Sequence, residues 1–336
     1  MRAALFALFL LASATVAAAE CQGKNLIDQM PAADRQALHD SADAAPYASG
    51  NFFTATKEDQ TITLIGTYHL GDPRHQATMD AITPLIDAAT TVLVEAGPEE
   101  ERALIDHLAK NPALMVLTDT TLPELLPAAD WAQLSDAMAL RGIPGFMAAK
   151  FQPWYISMML ATPPCSLTSG ELTQGLDARI IDRAQTRGIP LRALEPFDTV
   201  FAIFDQLPMA DQIDMIRYSL GMEDRVEDFS TTIADSYFAG DPRLIWELMR
   251  HESLRTPGAD PAAVQADMAL MEQAMMIGRN QAWIPVITAA AADGPTLAAF
   301  GALHLSGDQG VVNLLARQGW TITPLPLAPI SSSPTP

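Results

Sequence analysis

Short apolar runs that are rich in β-branched residues alternate with longer segments of helical periodicity along this chain. The runs at residues 61–65, 91–94, 189–194 and 297–300 are typical of buried strands, and each stops at a glycine or a glutamate. Helical patterns lie at residues 31–44, 76–89, 99–160 and 177–187 and over most of 197–290. Strands that alternate with helices predict an α/β fold with a mostly parallel central sheet and flanking helices.

The remaining segments set the predicted limits of the domain. Residues 45–60 have no clear period and are predicted as a loop, and residues 320–323 are predicted as an edge strand. We expect one α/β domain over residues 20–323, with helical insertions at about 99–170 and 197–290. The uncharged Pro/Ser-rich segment 324–336 is predicted to be disordered.

The first 19 residues have the pattern of a secretory signal peptide. Arg2 supplies a positive charge, residues 3–14 are apolar, and alanines stand at positions 17–19. The apolar run is too short for a membrane span, and no later stretch is apolar enough. The mature protein is therefore expected to be periplasmic or secreted, without a membrane span.

Charge and cysteine content narrow the functional class. With 20 basic and 40 acidic residues the net charge is −20, and a surface of that sign should repel nucleic acid. The two cysteines, Cys21 and Cys165, would enter an oxidising compartment, where an even count favours a disulfide over two free thiols.

Four predicted strands are followed by a side chain that can do chemistry. These side chains are His69, Glu95, Glu195 and His304. In open parallel sheets, ligands bind beyond the carboxyl ends of the strands. If the strands are neighbours, two imidazoles and two carboxylates meet in one crevice.

The two histidines stand in matching sequence contexts. Gly66-Thr67-Tyr68-His69-Leu70 follows one strand, and Gly301-Ala302-Leu303-His304-Leu305 follows another. Two imidazoles and one carboxylate form a common first shell for a catalytic divalent metal. The same groups could also work without metal, with a His/Glu pair as general base and the second histidine at the oxyanion.

At these motifs the sequence resembles the TraB/GumN family, which includes Tiki-type metalloproteases and is related in fold to erythromycin-esterase and ChaN-like proteins. The matching segments are residues 64–70, 92–95, 175–177, 194–195, 279–280 and 300–305. The sequence departs from the family at Ala96-Gly97-Pro98, where many members continue with an acidic or apolar residue, and it has no membrane anchor like that of the Tiki-type enzymes.

The resemblance implies roles for individual residues. His69, Glu95 and His304 would hold manganese or cobalt for proteolysis, with zinc as a further divalent candidate. Arg279 resembles the family's helical arginine, which would face the site and could hold a carboxylate or an oxyanion. Arg279 and Glu195 would orient the substrate.

The leading hypothesis is therefore an exported, metal-dependent, peptidase-like hydrolase acting on a peptide or small molecule. The alternatives are a metal-free His/Glu hydrolase like the esterase relatives, and a haem- or ligand-binding protein without turnover. Asp177 is interpreted mainly as an N-cap or first-turn acid of a helix, and Tyr68 as a core residue. The other histidines, at positions 39, 75, 107 and 251, are interpreted as surface residues, with His75 as the one possible exception because its loop follows the first motif.

Overall fold

The fold rests on one mixed sheet. The computed structural model describes residues 21, 23–169, 174–205, 207–255 and 260–326. Within these residues the strands are β1 (Phe52–Lys57), β2 (Gln60–Thr67), β3 (Thr91–Val94), β4 (Leu191–Ala193), β5 (Thr296–Gly301) and β6 (Thr321–Pro324). Their order across the sheet is β4-β3-β5-β2-β1-β6. The first four strands of that order are mutually parallel, whereas β1 runs antiparallel to both β2 and β6.

Helices follow the strands and fill the insertions. In the described residues they are α1 (Leu26–Gln29), α2 (Ala32–Asp43), α3 (His75–Ala88), α4 (Pro98–Lys110), α5 (Leu122–Leu125), α6 (Ala128–Leu140), α7 (Gly145–Ala148), α8 (Pro153–Leu160), α9 (Pro164–Ser169), α10 (Leu176–Arg187), α11 (Thr199–Asp205), α12 (Met209–Gly221), α13 (Val226–Ala239), α14 (Arg243–Arg255), α15 (Pro261–Glu272), α16 (Gly278–Ala292) and α17 (Val311–Arg317). A π-helical segment, Gln273–Ile277, joins α15 to α16. None of the described helices is long and apolar enough to cross a bilayer.

The sheet is covered on both faces, which explains its nearly continuous apolar strands. All four residues of β3 are buried, as are the first five of β5, as expected for parallel strands between two helical layers. One face packs against α16 and α17, through Trp283 and Leu315. The other packs against α3 and α10, through Ile82 and Ile180. The predicted α/β class is confirmed.

The predicted loop at residues 45–60 was wrong, because it contains β1. β1 pairs antiparallel with β2, and the two-residue turn Glu58-Asp59 connects the two strands. Glu58 adopts a φ of 54°, the left-handed region that hairpin turns usually fill with glycine or asparagine. Without either residue at the turn, the sequence carried no hairpin signal.

The chain ends fit the predictions in part. A disulfide joins Cys21 to Cys165, so the bridge favoured by the cysteine count is confirmed. The predicted edge strand is also present, but it extends to Pro324, which pairs with Phe53 and was expected to begin the disordered tail. The predicted signal peptide and residues 327–336 lie outside the described residues.

Candidate active site at the carboxyl ends of the strands

The strand order brings the predicted site residues to one edge of the sheet. Glu95 directly follows β3 and Glu195 follows β4 by two residues, while His69 and His304 follow β2 and β5. Because these four strands are adjacent and parallel, their carboxyl ends open into the same crevice. The side chains do converge, although their catalytic roles remain predictions.

Gly301 leaves a gap at the centre of this cluster. A Cβ atom built on Gly301 would stand 3.2 Å from His69 Nε2, 3.3 Å from Glu95 Oε1 and 3.7 Å from His304 Cδ2. The Gly301 backbone N–H donates to Glu95 Oε1 at 2.6 Å. The missing side chain therefore keeps open a space that the imidazole of His69 and the carboxylate of Glu95 share.

The glycine of the other motif serves a different purpose. A Cβ atom on Gly66 would lie 2.6 Å from Leu305 Cδ1 and 3.0 Å from the Cα atom of Ala302. Gly66 thus allows the chain that follows β5 to pack closely over β2. The two matching motifs meet in the fold, with one glycine supporting the packing and the other bordering the gap.

Arg279, on α16, ties the carboxylates and His304 together. Its Nε and one terminal nitrogen donate to Glu195 at 2.8 and 2.7 Å, and that same nitrogen donates to Glu95 Oε2 at 2.7 Å. The other terminal nitrogen contacts His304 Nε2 and the Met275 carbonyl, both at 3.2 Å. A guanidinium has five N–H groups, and these contacts number five. Each N–H group therefore has an acceptor inside the protein.

Full occupancy of the guanidinium changes the interpretation of Arg279. As arranged here, it has no N–H group left for a substrate carboxylate or an oxyanion. The Trp283 indole supports it from one side, with the guanidinium carbon 4.9 Å from the ring centre. Trp283 Nε1 also donates to Glu195 Oε2 at 3.0 Å. Arg279 and Glu195 therefore form a clamp that positions Glu95 and His304.

His304 is held as a neutral imidazole. Its Nδ1 lies 2.6 Å from Asn280 Oδ1, while Asn280 Nδ2 donates to the Gln309 carbonyl at 2.8 Å. With the amide oriented in this way, we assign the ring proton to Nδ1 and the lone pair to Nε2, which faces Arg279. Burial and the charges of Arg279 and His69 outweigh the attraction of Glu95 and lower the pKa of His304 to about 3.

Asn280 is a positioning residue to which sequence reasoning gave little weight. It is buried, and it fixes the His304 ring through one amide group. Trp283 was missed altogether, although its position one helical turn after Arg279 was a usable signal. The π-helical segment before α16 supplies the Met275 carbonyl to Arg279, and such segments are frequent at functional sites.

His69 is oriented by Asp177 rather than by Arg279. Its Nδ1 lies 3.2 Å from Asp177 Oδ1, so Nε2 is the nitrogen that faces the gap at Gly301. Asp177 was expected as an N-cap or first-turn acid, and it lies in the first turn of α10, after the N-cap Gly175. A Cβ atom on Gly175 would lie 2.2 Å from the His69 carbonyl oxygen. Only glycine therefore lets the start of α10 approach the His69 loop this closely.

Two carboxylates favour the protonated form of His69. Desolvation lowers its pKa, but the contact with Asp177 and the charges of Glu95 and Asp177 outweigh this and raise the pKa to about 9. The His69 side chain is 59% exposed, so solvent screens part of this attraction. His69 and His304 therefore have opposite protonation preferences, although their sequence motifs match.

Glu95 is a carboxylate across the physiological pH range. Burial raises its pKa, but His304 where its ring is protonated in acid, the charges of His69 and Arg279, and the Gly301 N–H outweigh burial and lower the pKa to about 2. A carboxylate at the end of an apolar strand would be costly without such partners. Here each oxygen accepts one hydrogen bond, from Gly301 or from Arg279.

His75 was wrongly expected at the surface. It is fully buried, its Nε2 lies 2.9 Å from the Leu70 carbonyl oxygen, and burial lowers its pKa. Its ring contacts Phe238 and Tyr237. Tyr68 stacks on Tyr237 at 5.7 Å, in keeping with the expected packing role. Both side chains help to hold the His69 loop against α13.

The donor atoms do not fit a divalent metal in this arrangement. His304 Nε2 and Glu95 Oε2 both accept hydrogen bonds from the Arg279 guanidinium, and the other Glu95 oxygen, Oε1, accepts from the Gly301 N–H. Among the residues that the structure describes, no group of three or more His, Cys, Asp or Glu side chains is arranged to hold a metal. Arg279 thus supplies positive charge to Glu95 and His304, two of the three residues that were expected to hold a metal cation.

One known protein family matches most of this chain. The model of the TraB/PrgY/gumN family matches residues 51–324. The chain belongs to this family. No curated protein matches it. The matched range begins just before β1 and ends with β6, so all six strands and every residue of the crevice lie within the family domain.

Proposed function

We propose that this TraB/PrgY/gumN family member is a hydrolase in which His69 acts as general base on a water molecule. The observation that carries the proposal is the orientation of His69, with Nδ1 on Asp177 and Nε2 facing Glu95 across the gap at Gly301. An imidazole that meets a carboxylate at one nitrogen, here in an ion-pair contact at 3.2 Å, and has its other nitrogen free resembles the usual arrangement for taking a proton from a nucleophile.

The surrounding charges suit that proton transfer. His69 Nε2 takes a proton from water as the water oxygen attacks the substrate carbonyl carbon. Asp177 and Glu95 stabilise the imidazolium that forms. The imidazolium then returns the proton to the leaving group as the carbonyl–leaving group bond breaks, so that water is consumed and an acid is released. Arg279 does not contact the substrate in this mechanism; its hydrogen bond and charge keep Glu95 ionised and in place.

The compartment follows from the disulfide and the N-terminal sequence. We infer that the protein works in the periplasm or outside the cell, because a Cys21–Cys165 disulfide is characteristic of oxidising compartments. Cys21 would be the second residue of the mature chain. The bridge therefore attaches the new N-terminus to the helical part of the domain, at Cys165.

The pH dependence of hydrolysis tests the role of His69. With p-nitrophenyl acetate and a pool of capped peptides as probes, kcat/KM should rise with pH, with an apparent pKa between 6.5 and about 9, because the base must first lose its proton. His69→Ala should lower kcat/KM by about 10²-fold or more. Asp177→Asn should lower both kcat/KM and the apparent pKa, since one stabilising charge is lost.

His107 provides the control for this series. It contacts Phe197 and Phe201 outside the crevice, so His107→Gln should retain the wild-type profile. A profile that falls with rising pH, or full activity in His69→Ala, would rule out the general-base role.

Metal uptake tests the other form of the hypothesis, in which His69, Glu95 and His304 hold manganese, cobalt or zinc. That form requires Arg279 to release both His304 and Glu95. We expect hydrolysis to persist in chelator, and wild type, His69→Ala and His304→Ala to show equal uptake in equilibrium dialysis. About one equivalent bound by wild type and lost in both variants, with chelator-sensitive activity, would instead establish the metal-dependent peptidase.

A further inference from the structure

The outer edge of β4 carries unused backbone hydrogen-bonding groups. β4 lies at one edge of the sheet, and among the described strands it pairs only with β3. The Pro190 carbonyl accepts from the Val92 N–H, and the Leu194 N–H donates to the Val94 carbonyl. Alternate residues of a strand face the same neighbour, so the N–H and C=O groups of Leu191 and Ala193 point away from β3.

A groove runs beside this edge. Its volume is about 630 Å³, and β4 and its flanking residues form one wall while the start of α4 and Gln185 of α10 contribute the rest. Charged side chains line it, including Glu99, Arg102 and Arg192. A polar groove beside unpaired backbone groups suits a ligand with a peptide backbone, which can form hydrogen bonds with those groups. It suits a purely apolar ligand less well.

The groove leads to the crevice. Glu195, which lines the groove, is the residue that Arg279 and Trp283 hold. Gly97, on the opposite wall, is two residues from Glu95. A chain lying along β4 towards its carboxyl end therefore arrives beside the Glu195–Arg279 clamp.

We propose that β4 is a docking strand for an extended peptide, which adds to the sheet beyond Leu191 and Ala193 and then turns across the ends of β4 and β3 to bring its next peptide bonds to His69 at the end of β5. This inference rests on the proposed hydrolase function and assigns the place where its peptide substrate docks. Peptides bind to sheet edges elsewhere through main-chain hydrogen bonds, with side-chain preferences set by alternate pockets. Three residues of an octapeptide would lie along β4, and the other five span about 16 Å when extended, enough to cross the roughly 14 Å from the outer edge of β4 to β5 at about 4.8 Å per strand.

Amide exchange at β4 tests the docking strand directly. The His69→Ala variant, in which turnover is stopped, would be saturated with a library of capped octapeptides. Exchange of individual amides would then be followed by NMR or by fragmentation mass spectrometry. The amides of Leu191 and Ala193 should exchange at least tenfold more slowly, whereas those of Arg192 and Leu194, already facing β3, should change little. A library with the same side chains but every amide N-methylated should give no protection.

Each outcome separates this proposal from the function on which it rests. Wild-type hydrolysis of the library without protection of Leu191 and Ala193 would overturn the docking strand and leave the hydrolase standing. Protection without wild-type turnover would retain the docking strand and overturn the hydrolase. Equal protection of all four amides would indicate general stabilisation, and it would also overturn the docking strand.

Discussion

Arg279→Ala should lower the free energy of unfolding by about 3 kcal/mol or more and abolish hydrolysis. The substitution leaves the carboxylates of Glu95 and Glu195 facing each other with little solvent, since their side chains are only 21% and 14% exposed. Removing one partner of such a buried cluster costs about 3–5 kcal/mol, because the remaining charges stay desolvated. Urea unfolding and kcat/KM measured on the folded fraction would give both effects.

Two further variants make the Arg279 result interpretable. Arg279→Lys keeps the charge but cannot reach both carboxylates and His304 at once, so it should fold and retain only part of the stability and activity. Arg317→Ala removes an exposed arginine whose ion pair with Asp308 is solvent-screened, and it should change stability by less than about 0.5 kcal/mol. Equal urea midpoints for Arg279→Ala and Arg317→Ala would contradict the clamp.

Acidification should destabilise the protein from pH 6.5 downward through His304. Its folded pKa of about 3 lies below the unfolded value of 6.5. Above pH 6.5 both states hold the imidazole neutral, so the stability is complete. Between pH 6.5 and 3 only the unfolded chain takes up the proton, and the free energy of unfolding falls by about 1.4 kcal/mol per pH unit. The His304 share of the loss is about 4–5 kcal/mol by pH 3, which urea titrations of wild type and of a variant without this imidazole would measure.

A variant that cannot titrate isolates this contribution. His304→Asn places an amide N–H where Nδ1 donates to Asn280, and it should lose the His304 part of the slope between pH 6.5 and 4.5. Below 4.5 the slope that Glu95 contributes remains, because its folded pKa is also lowered, to about 2. An NMR titration of the His304 ring with a midpoint near 6.5, or an unchanged slope in His304→Asn, would contradict the buried neutral imidazole.

The sequence was sufficient for the parallel part of the fold. Strands buried on both faces must be continuously apolar, and β3 and β5 are recognisable for that reason. The residue after such a strand leaves the apolar layer, so a Glu95 or a His304 at that point stands out. The family resemblance and the strand ends led to the same crevice, and the adjacency of the four strands brings their side chains together.

Local pattern failed where a residue depends on distant contacts. The β1 hairpin turns through Glu58, whose left-handed backbone conformation carries no composition signal. His75 follows a polar loop, and its neighbours in the sequence gave no sign of burial. Its ring is buried because Tyr237 and Phe238, from a distant part of the chain, pack against it. Asp177 had the local signature of a cap, whereas its contact with His69 depends on α10 packing against the β2 loop.

The fold class and the disulfide partners followed from the sequence, because periodicity and covalent chemistry are local properties, and each candidate residue at a strand end could be recognised there. The meeting of those residues depends on the strand order, and their separate tasks depend on the contacts made in the folded chain. Burial against Trp283 and a bond to Asn280 make His304 a neutral acceptor, while Asp177 and Glu95 favour a charged His69. These differences arise from hydration and from charges brought together across the chain, which the matching Gly-x-x-His motifs do not encode.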